Sequence, residues 1–131
     1  MRAAVDTNIL VRAVVRDDRE QAEIAAELLR SSELIAVALS ALCELVWVLR
    51  RVYRFKAADV ADTIRALTAA ENVETNRPAV DAGLALLDAG GDFADGVIAY
   101  EGRWLGAETF VSFDKKAVEM LKEQGVAARL L

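Results

Sequence analysis

Two rhythms run along this chain. Short unbroken apolar runs alternate with longer stretches in which apolar residues return every three or four positions, the patterns of buried strands and amphipathic helices. Arg2-Ala3-Ala4-Val5 reads as a first, central strand ending at Asp6, and Ile9-Leu10-Val11 with Ala13, Val14 and Val15 begins a helix. Asp17-Asp18 opens a second helix over Arg19 to Ser31, where Ala22, Ala25, Ala26, Leu28 and Leu29 keep roughly helical spacing. Leu34 to Leu39 is continuously apolar, as expected of a strand buried on both faces. Ser40 stands at the cap position of a third helix, Ala41 to about Arg54, and a fourth runs from Lys56 to Ala70. Asn72 to Thr75 is a short, weak strand, and Pro78 fits the first turn of a fifth helix ending near Ala89. Gly90-Gly91 stops that helix. The next helix, Ala94 to Leu105, is expected to bury Val97, Ile98 and Leu105. Glu108 to Ser112 is a strand closed by Phe113-Asp114, Lys115 to Gln124 the last helix, and Val126 to Leu130 a final edge strand. Strands alternating with helices, with no hairpin signal, predict an α/β fold whose parallel sheet is covered by helices on both faces.

Composition narrows the class. The chain has 131 residues, one Pro and seven Gly, and no low-complexity run, so one domain over residues 1–131 is expected. An apolar fraction of 55% is rich for a small domain and points to burial against another copy or a partner. A single Cys forbids an intrachain disulfide, and Cys43 in its apolar helix reads as a small core residue. The absence of histidine removes Ser-His-Asp and Cys-His catalysis and every His-ligated zinc site. With an acid at position 6 the start does not read as a signal peptide, and no apolar run approaches the roughly 20 residues of a membrane span, so a cytoplasmic protein is expected. A net charge of −5 argues against a plain nucleic-acid-binding module, whose surface would be basic. It leaves room for an enzyme that takes nucleic acid through a metal.

Four acids carry the candidate chemistry. Asp6 ends the first strand, Glu44 lies a turn inside the third helix, Asp95 sits in the first turn of the helix after the glycine pair, and Asp114 follows the fourth strand. In an open parallel sheet, strand C-termini and the helix starts after them share one edge, where ligands bind. Four carboxylates at one rim would repel unless protonated or bound to a cation. Asp95 alone reads more simply as a helix cap, Asp6-Thr7-Asn8 could simply be a capping segment, and the plainer reading of Glu44 is that it faces solvent or pairs with an Arg. Glu44 is the only polar side chain between Ala41 and Leu49, so it is expected to sit in a buried helix and to need a partner. A set of carboxylates suits a hard cation, Mg²⁺ or Mn²⁺, and that ion suits phosphodiester hydrolysis.

These residues resemble a known family. Val5-Asp6-Thr7-Asn8, Glu44 in its apolar helix, Asp92-Phe93-Ala94-Asp95-Gly96-Val97-Ile98-Ala99 and Val111-Ser112-Phe113-Asp114-Lys115-Lys116 occur in the order and spacing of the PIN-domain ribonucleases. Within that family they resemble the VapC-like toxins of prokaryotic toxin–antitoxin pairs, over essentially the whole chain. The resemblance implies a PIN-like three-layer αβα sandwich with a central parallel sheet of four to five strands. It implies an RNA endonuclease with a Mg²⁺ or Mn²⁺ site, and a homodimer held by a small VapB-like antitoxin. It assigns Asp6, Glu44, Asp95 and Asp114 as the catalytic and metal-binding acids, with Thr7, Asn8, Arg12 and Ser112 as the substrate-binding set. Ser112 stands where members often carry Thr. Asp92 is either an aid to a second metal or a helix cap.

Other residues admit plainer readings. Arg50-Arg51-Val52-Tyr53-Arg54-Phe55-Lys56 could hold RNA or an acidic partner, or simply cap a helix C-terminus. Arg12 and Arg16 are candidates for phosphate contact or for docking an inhibitory peptide, and Lys115 and Lys116 could pair with site acids. Trp47 and Trp104 read as core or dimer residues. Three rivals stand against the nuclease. A phosphoacceptor receiver would want an acid pair at the first strand end, and an aspartyl-nucleophile phosphatase a second Asp where Asn8 stands. A PIN-like scaffold or metal-binding interaction module would have the fold without nuclease activity.

Overall fold

The computed structural model describes residues 1–131, which fall into two compact units, Met1–Asn76 and Arg77–Leu131. The first unit is β1 (Arg2–Ala4), α1 (Thr7–Val15), α2 (Arg19–Ser31), β2 (Leu34–Ala36), α3 (Leu39–Arg51), α4 (Ala57–Ala69) and β3 (Val73–Glu74). Its three strands form an all-parallel sheet in the order β1-β2-β3, with Ala3 opposite Ile35 and Ile35 opposite Val73. Single bonds carry the ladder past the strand ends, from Val5 N to Ala36 O and from Val37 N to Glu74 O. The middle strand is therefore β2, not β1. Ile35 is fully buried, whereas Arg2 and Ala4 of β1 are exposed.

Hydrogen-bonding demand sets most element boundaries. Helix α2 starts where Asp18 accepts a bond from Gln21 N, the ordinary N-cap. Helix α3 starts two residues ahead of the sequence expectation, because Leu42 N already bonds Ala38 O. Ala38, not Ser40, is its N-cap, and no side chain caps it. The α3 core face is Ala41, Leu42, Leu45, Val46 and Leu49. Its opposite face is not buried: Glu44 is exposed and Trp47 is 58% exposed, so Trp47 is not a core residue of this chain. Helices α1 and α3 are tied at two places. Thr7 Oγ1 at the start of α1 donates to Glu44 Oε2 in the middle of α3 at 3.3 Å. Past their ends, Asp17 accepts from Arg12 Nη1 at 2.9 Å and from the Tyr53 hydroxyl at 3.0 Å. These bonds hold the Asp17 carboxyl below its ordinary range, Tyr53 contributing most, and push the Arg12 guanidinium up.

The second unit is α5 (Arg77–Asp88), α6 (Phe93–Trp104), β4 (Phe110–Ser112), α7 (Lys115–Glu123) and β5 (Ala128–Leu130). Strand β4 pairs only with β5, in parallel, with Phe110 opposite Ala128. The expectation of one central sheet of four to five strands is thus corrected to a sheet of three and a separate pair. The apolar runs identified the strands, but which strand edge bonds to which is settled by backbone pairing, and that leaves no trace in a run of three apolar residues.

Helix α5 ends as the glycine pair predicts. Gly90 takes φ 97°, and Gly90 N and Gly91 N bond back to Leu87 O and Leu86 O, the two crossed bonds of a Schellman ending. The chain then turns at once into α6, which packs closely on α5. A Cβ on Gly96 would lie 2.4 Å from Ala82 O, and one on Gly83 would lie 2.7 Å from the Phe93 ring. Phe93 itself is fully buried. On α6 the expected buried side holds for Val97 and fails for Ile98 and Leu105, which are 55% and 88% exposed. Trp104, 76% exposed, donates to the Tyr100 hydroxyl at 2.8 Å and is likewise no core residue.

Candidate active site

The question at each acid is whether its carboxylate is occupied by its own helix. Asp6 is the N-cap residue of α1 by position, in extended conformation, yet its side chain makes no cap bond. It is exposed and in no ion pair, so both oxygens are available. In the second unit Asp95 likewise makes no cap bond, though it is not at the cap position. It lies in the first turn of α6, half-buried, while the capping is done by Asp92, whose Oδ1 accepts from Ala94 N at 3.1 Å. Asp114 does cap: its Oδ1 accepts from Ala117 N at 3.1 Å at the start of α7. Its own N–H donates to Ser112 Oγ at 2.9 Å, so the hydroxyl of Ser112 shapes the turn that presents Asp114. Glu44 takes one bond, from Thr7.

The acids come together in two sets. In the first unit, the residue next to Asp6 reaches Glu44. In the second, Asp92 and Asp114 each lie within electrostatic range of Asp95. The Asp95 carboxyl is raised above its ordinary value, first by burial, then by the neighbouring charge of Asp92 and of Asp114. None of Asp6, Glu44, Asp92, Asp95 and Asp114 has a Lys or Arg partner. Nowhere do three or more acid or cysteine side chains gather into a ready-made metal cage. A hard divalent cation nevertheless fits the donor chemistry. The ligands are all oxygen, the Asp95 set has an unbalanced negative charge, and Mg²⁺ is ordinarily held by one or two carboxylates plus substrate phosphates while keeping waters of its own.

The remaining expected residues divide. Asn8 is exposed and its amide makes no hydrogen bond within the chain, which leaves it open to a ligand. Arg12 is engaged by Asp17. Lys115 pairs with Glu119 at 4.0 Å along its own helix instead of with a site acid. In the basic cluster, Arg50 donates to Phe55 O at 2.9 Å, the plain C-terminal role for such a cation. Two groups were not singled out in the sequence. One is the Asp17–Tyr53 clasp, invisible because its members are 36 residues apart. The other is Thr75, just past β3 at the same sheet edge as Asp6, whose buried hydroxyl has no hydrogen-bond partner. Position at a strand C-terminus was the signal that could have marked it.

Comparison with known proteins identifies the family. No curated protein matches the sequence at a significant level. A family model described as PIN domain matches residues 3–122, a span that includes all four acids and runs through both units. The chain belongs to the PIN domain family, whose members are typically metal-dependent nucleases.

Proposed function

We propose that this protein is a Mg²⁺- or Mn²⁺-dependent endoribonuclease, acting in the cytoplasm as the toxin of a VapBC-like toxin–antitoxin pair. The observation that carries the reading is the state of Asp6 and Asp95. Both stand at helix starts, neither caps its helix, and neither has a cationic partner. A carboxylate at a helix start that neither caps nor pairs is open to a ligand. The acids proposed as ligands are Asp6 and Glu44 in the first unit and Asp95 and Asp114 in the second. A bound Mg²⁺ or Mn²⁺ would lower the pKa of a water and offset phosphate charge.

The chain's own groups supply the rest. Asn8 presents free amide donors to a phosphate or ribose oxygen. Arg12 exchanges Asp17 for a phosphate when RNA binds, and Ser112 holds the turn that aims Asp114. Arg12 would also meet an acidic antitoxin segment. Exposed Ile24, Trp47 and Val52 in the first unit offer apolar area to a VapB-like antitoxin or a second copy. One observation favours a second reading, a PIN scaffold or metal-binding interaction module without nuclease activity: no three acids form a preassembled cage.

Incubating the purified protein with a mixed tRNA and rRNA pool, in Mn²⁺ or Mg²⁺ and in EDTA, separates the two. The nuclease predicts cleavage that requires the metal and disappears in Asp6→Asn. No cleavage of any RNA by folded, antitoxin-free protein would support the scaffold.

A further inference from the structure

Thr7 is the first residue of α1 and is only 5% exposed. Other helical threonines of this chain turn their hydroxyls onto the carbonyl four residues back: Thr63 bonds Asp59 O at 2.8 Å and Thr68 bonds Ile64 O at 2.9 Å. That outlet is closed to Thr7. The residue four before it, Ala3, lies in β1, and α1 has no preceding turn. Its proton goes instead to Glu44 Oε2, 37 positions away in sequence. This is the only hydrogen bond the Glu44 carboxylate makes within the chain, and no ion pair competes for it. The two partners differ in freedom. Thr7 is β-branched, helical and buried, so its rotamer is stiff. Glu44 projects from the exposed face of α3 on three rotatable bonds.

We infer that Thr7 is a positioning residue for the Glu44 carboxylate, not a contact for the substrate. A buried, immobile hydroxyl takes one lone pair of Oε2 and holds the carboxylate toward the start of α1, next to Asp6. The other oxygen, Oε1, is left for a cation. A carboxylate ligand that must otherwise be ordered at the moment of binding loses affinity, and removing such a supporting partner commonly weakens metal binding by about 10- to 100-fold. The inference rests on the reading of Glu44 as a metal ligand.

Mn²⁺ alone, titrated into the full chain and followed by the loss of the free-ion electron paramagnetic resonance signal, tests both layers without RNA. Thermal melting confirms that each variant is folded. Thr7→Val keeps the shape and removes the donor, and is expected to weaken Mn²⁺ about 10- to 100-fold. Thr7→Ser restores the donor and is expected to bind near the wild-type level. Where Thr7→Val does not fold, Thr7→Ala makes the same measurement. Wild-type affinity in folded Thr7→Val or Thr7→Ala, while Glu44→Gln is weakened, overturns the positioning role and leaves the metal site standing. Equal weakening in Thr7→Ser and Thr7→Val would show that the fit of the methyl, not the hydroxyl, matters, and would overturn it too. No Mn²⁺ binding by the wild type, or none lost in Glu44→Gln, overturns the reading of Glu44 itself and the inference with it.

Discussion

For four of the aspartates at or near helix starts, Asp6, Asp92, Asp95 and Asp114, the bonds around them separate structure from chemistry. Asp92 and Asp114 accept backbone N–H groups, and Asp6 and Asp95 do not. Stability and activity should therefore part company under substitution. Asp92→Ala should cost about 1 kcal/mol through the lost cap, read from denaturant midpoints. Asp6→Asn should leave that midpoint nearly unchanged while lowering metal-dependent cleavage by about 100-fold or more, the scale on which loss of one electrostatic stabiliser acts. Asp95 adds a pH signature. Its carboxyl is raised in the folded state, by burial first and then by Asp92 and Asp114, so the folded form holds the proton more tightly than the unfolded chain. That contribution is present below the unfolded value and is lost as pH rises through the folded one. The metal-free Asp95→Asn protein should then be more stable than wild type near neutral pH, and the difference should close as pH falls toward the ordinary carboxylate range. Melting temperatures recorded from pH 3 to 8 in EDTA would show it, and an advantage that grew toward acid would contradict the assignment.

At the scale of elements, the α5–α6 pair is the tightest junction in its unit, and glycine makes it possible. In most helices Gly→Ala stabilises, because Ala is the better helix former by about 1 kcal/mol. Here the added Cβ of Gly96→Ala would meet a backbone carbonyl oxygen at 2.4 Å, and a backbone cannot rotate aside as a side chain can. Overpacking should win: we expect a net loss of about 1–3 kcal/mol in chemical denaturation, with activity falling as well because Asp95 is the adjacent residue. The α1–α3 pair shows the other means of fixing elements. Its two polar ties, Thr7 to Glu44 and Tyr53 to Asp17, join residues 37 and 36 positions apart. The sequence pattern placed Thr7, Asp17 and Tyr53 near helix ends and Glu44 inside α3, but it says nothing about which helix lies alongside which.

For the whole molecule, charge is the governing quantity. A protein of net charge −5 and isoelectric point near 4.8 meets a polyanion with an unfavourable long-range field. Association with RNA should consequently depend on the divalent ion, not merely turnover. Filter binding in about 0.15 M salt, read at short times before cleavage proceeds, should detect little RNA retained in EDTA and clear retention in Mn²⁺. Strong binding in EDTA would move the main contact to the Arg50–Lys56 basic cluster. No helix is long and apolar enough to cross a membrane, and the exposed Trp47, Trp104 and Leu105 are apolar area that the chain's own folding leaves uncovered.

The order of strands and helices was determined locally. Runs of apolar residues, a Pro at a helix start and a Gly pair at a helix end act over a few positions, and α2 falls at Arg19–Ser31 as its spacing predicts. The acids and the family pattern were legible for the same reason, since a motif such as Asp6-Thr7-Asn8 is contiguous. What required the tertiary structure was every question of partnership. Glu44 was expected to be buried because its neighbours in sequence are apolar, yet α3 turns it outward, and its partner proved to be a hydroxyl, not an arginine. Ile98 shares a helix with Val97 and Leu105 caps its end, yet neither shares its burial, because burial depends on what packs against a face. Strand pairing, the exposed tryptophans and the division of aspartates into caps and free carboxylates follow the same rule. Each is decided by contacts between residues far apart in sequence, which no local pattern encodes.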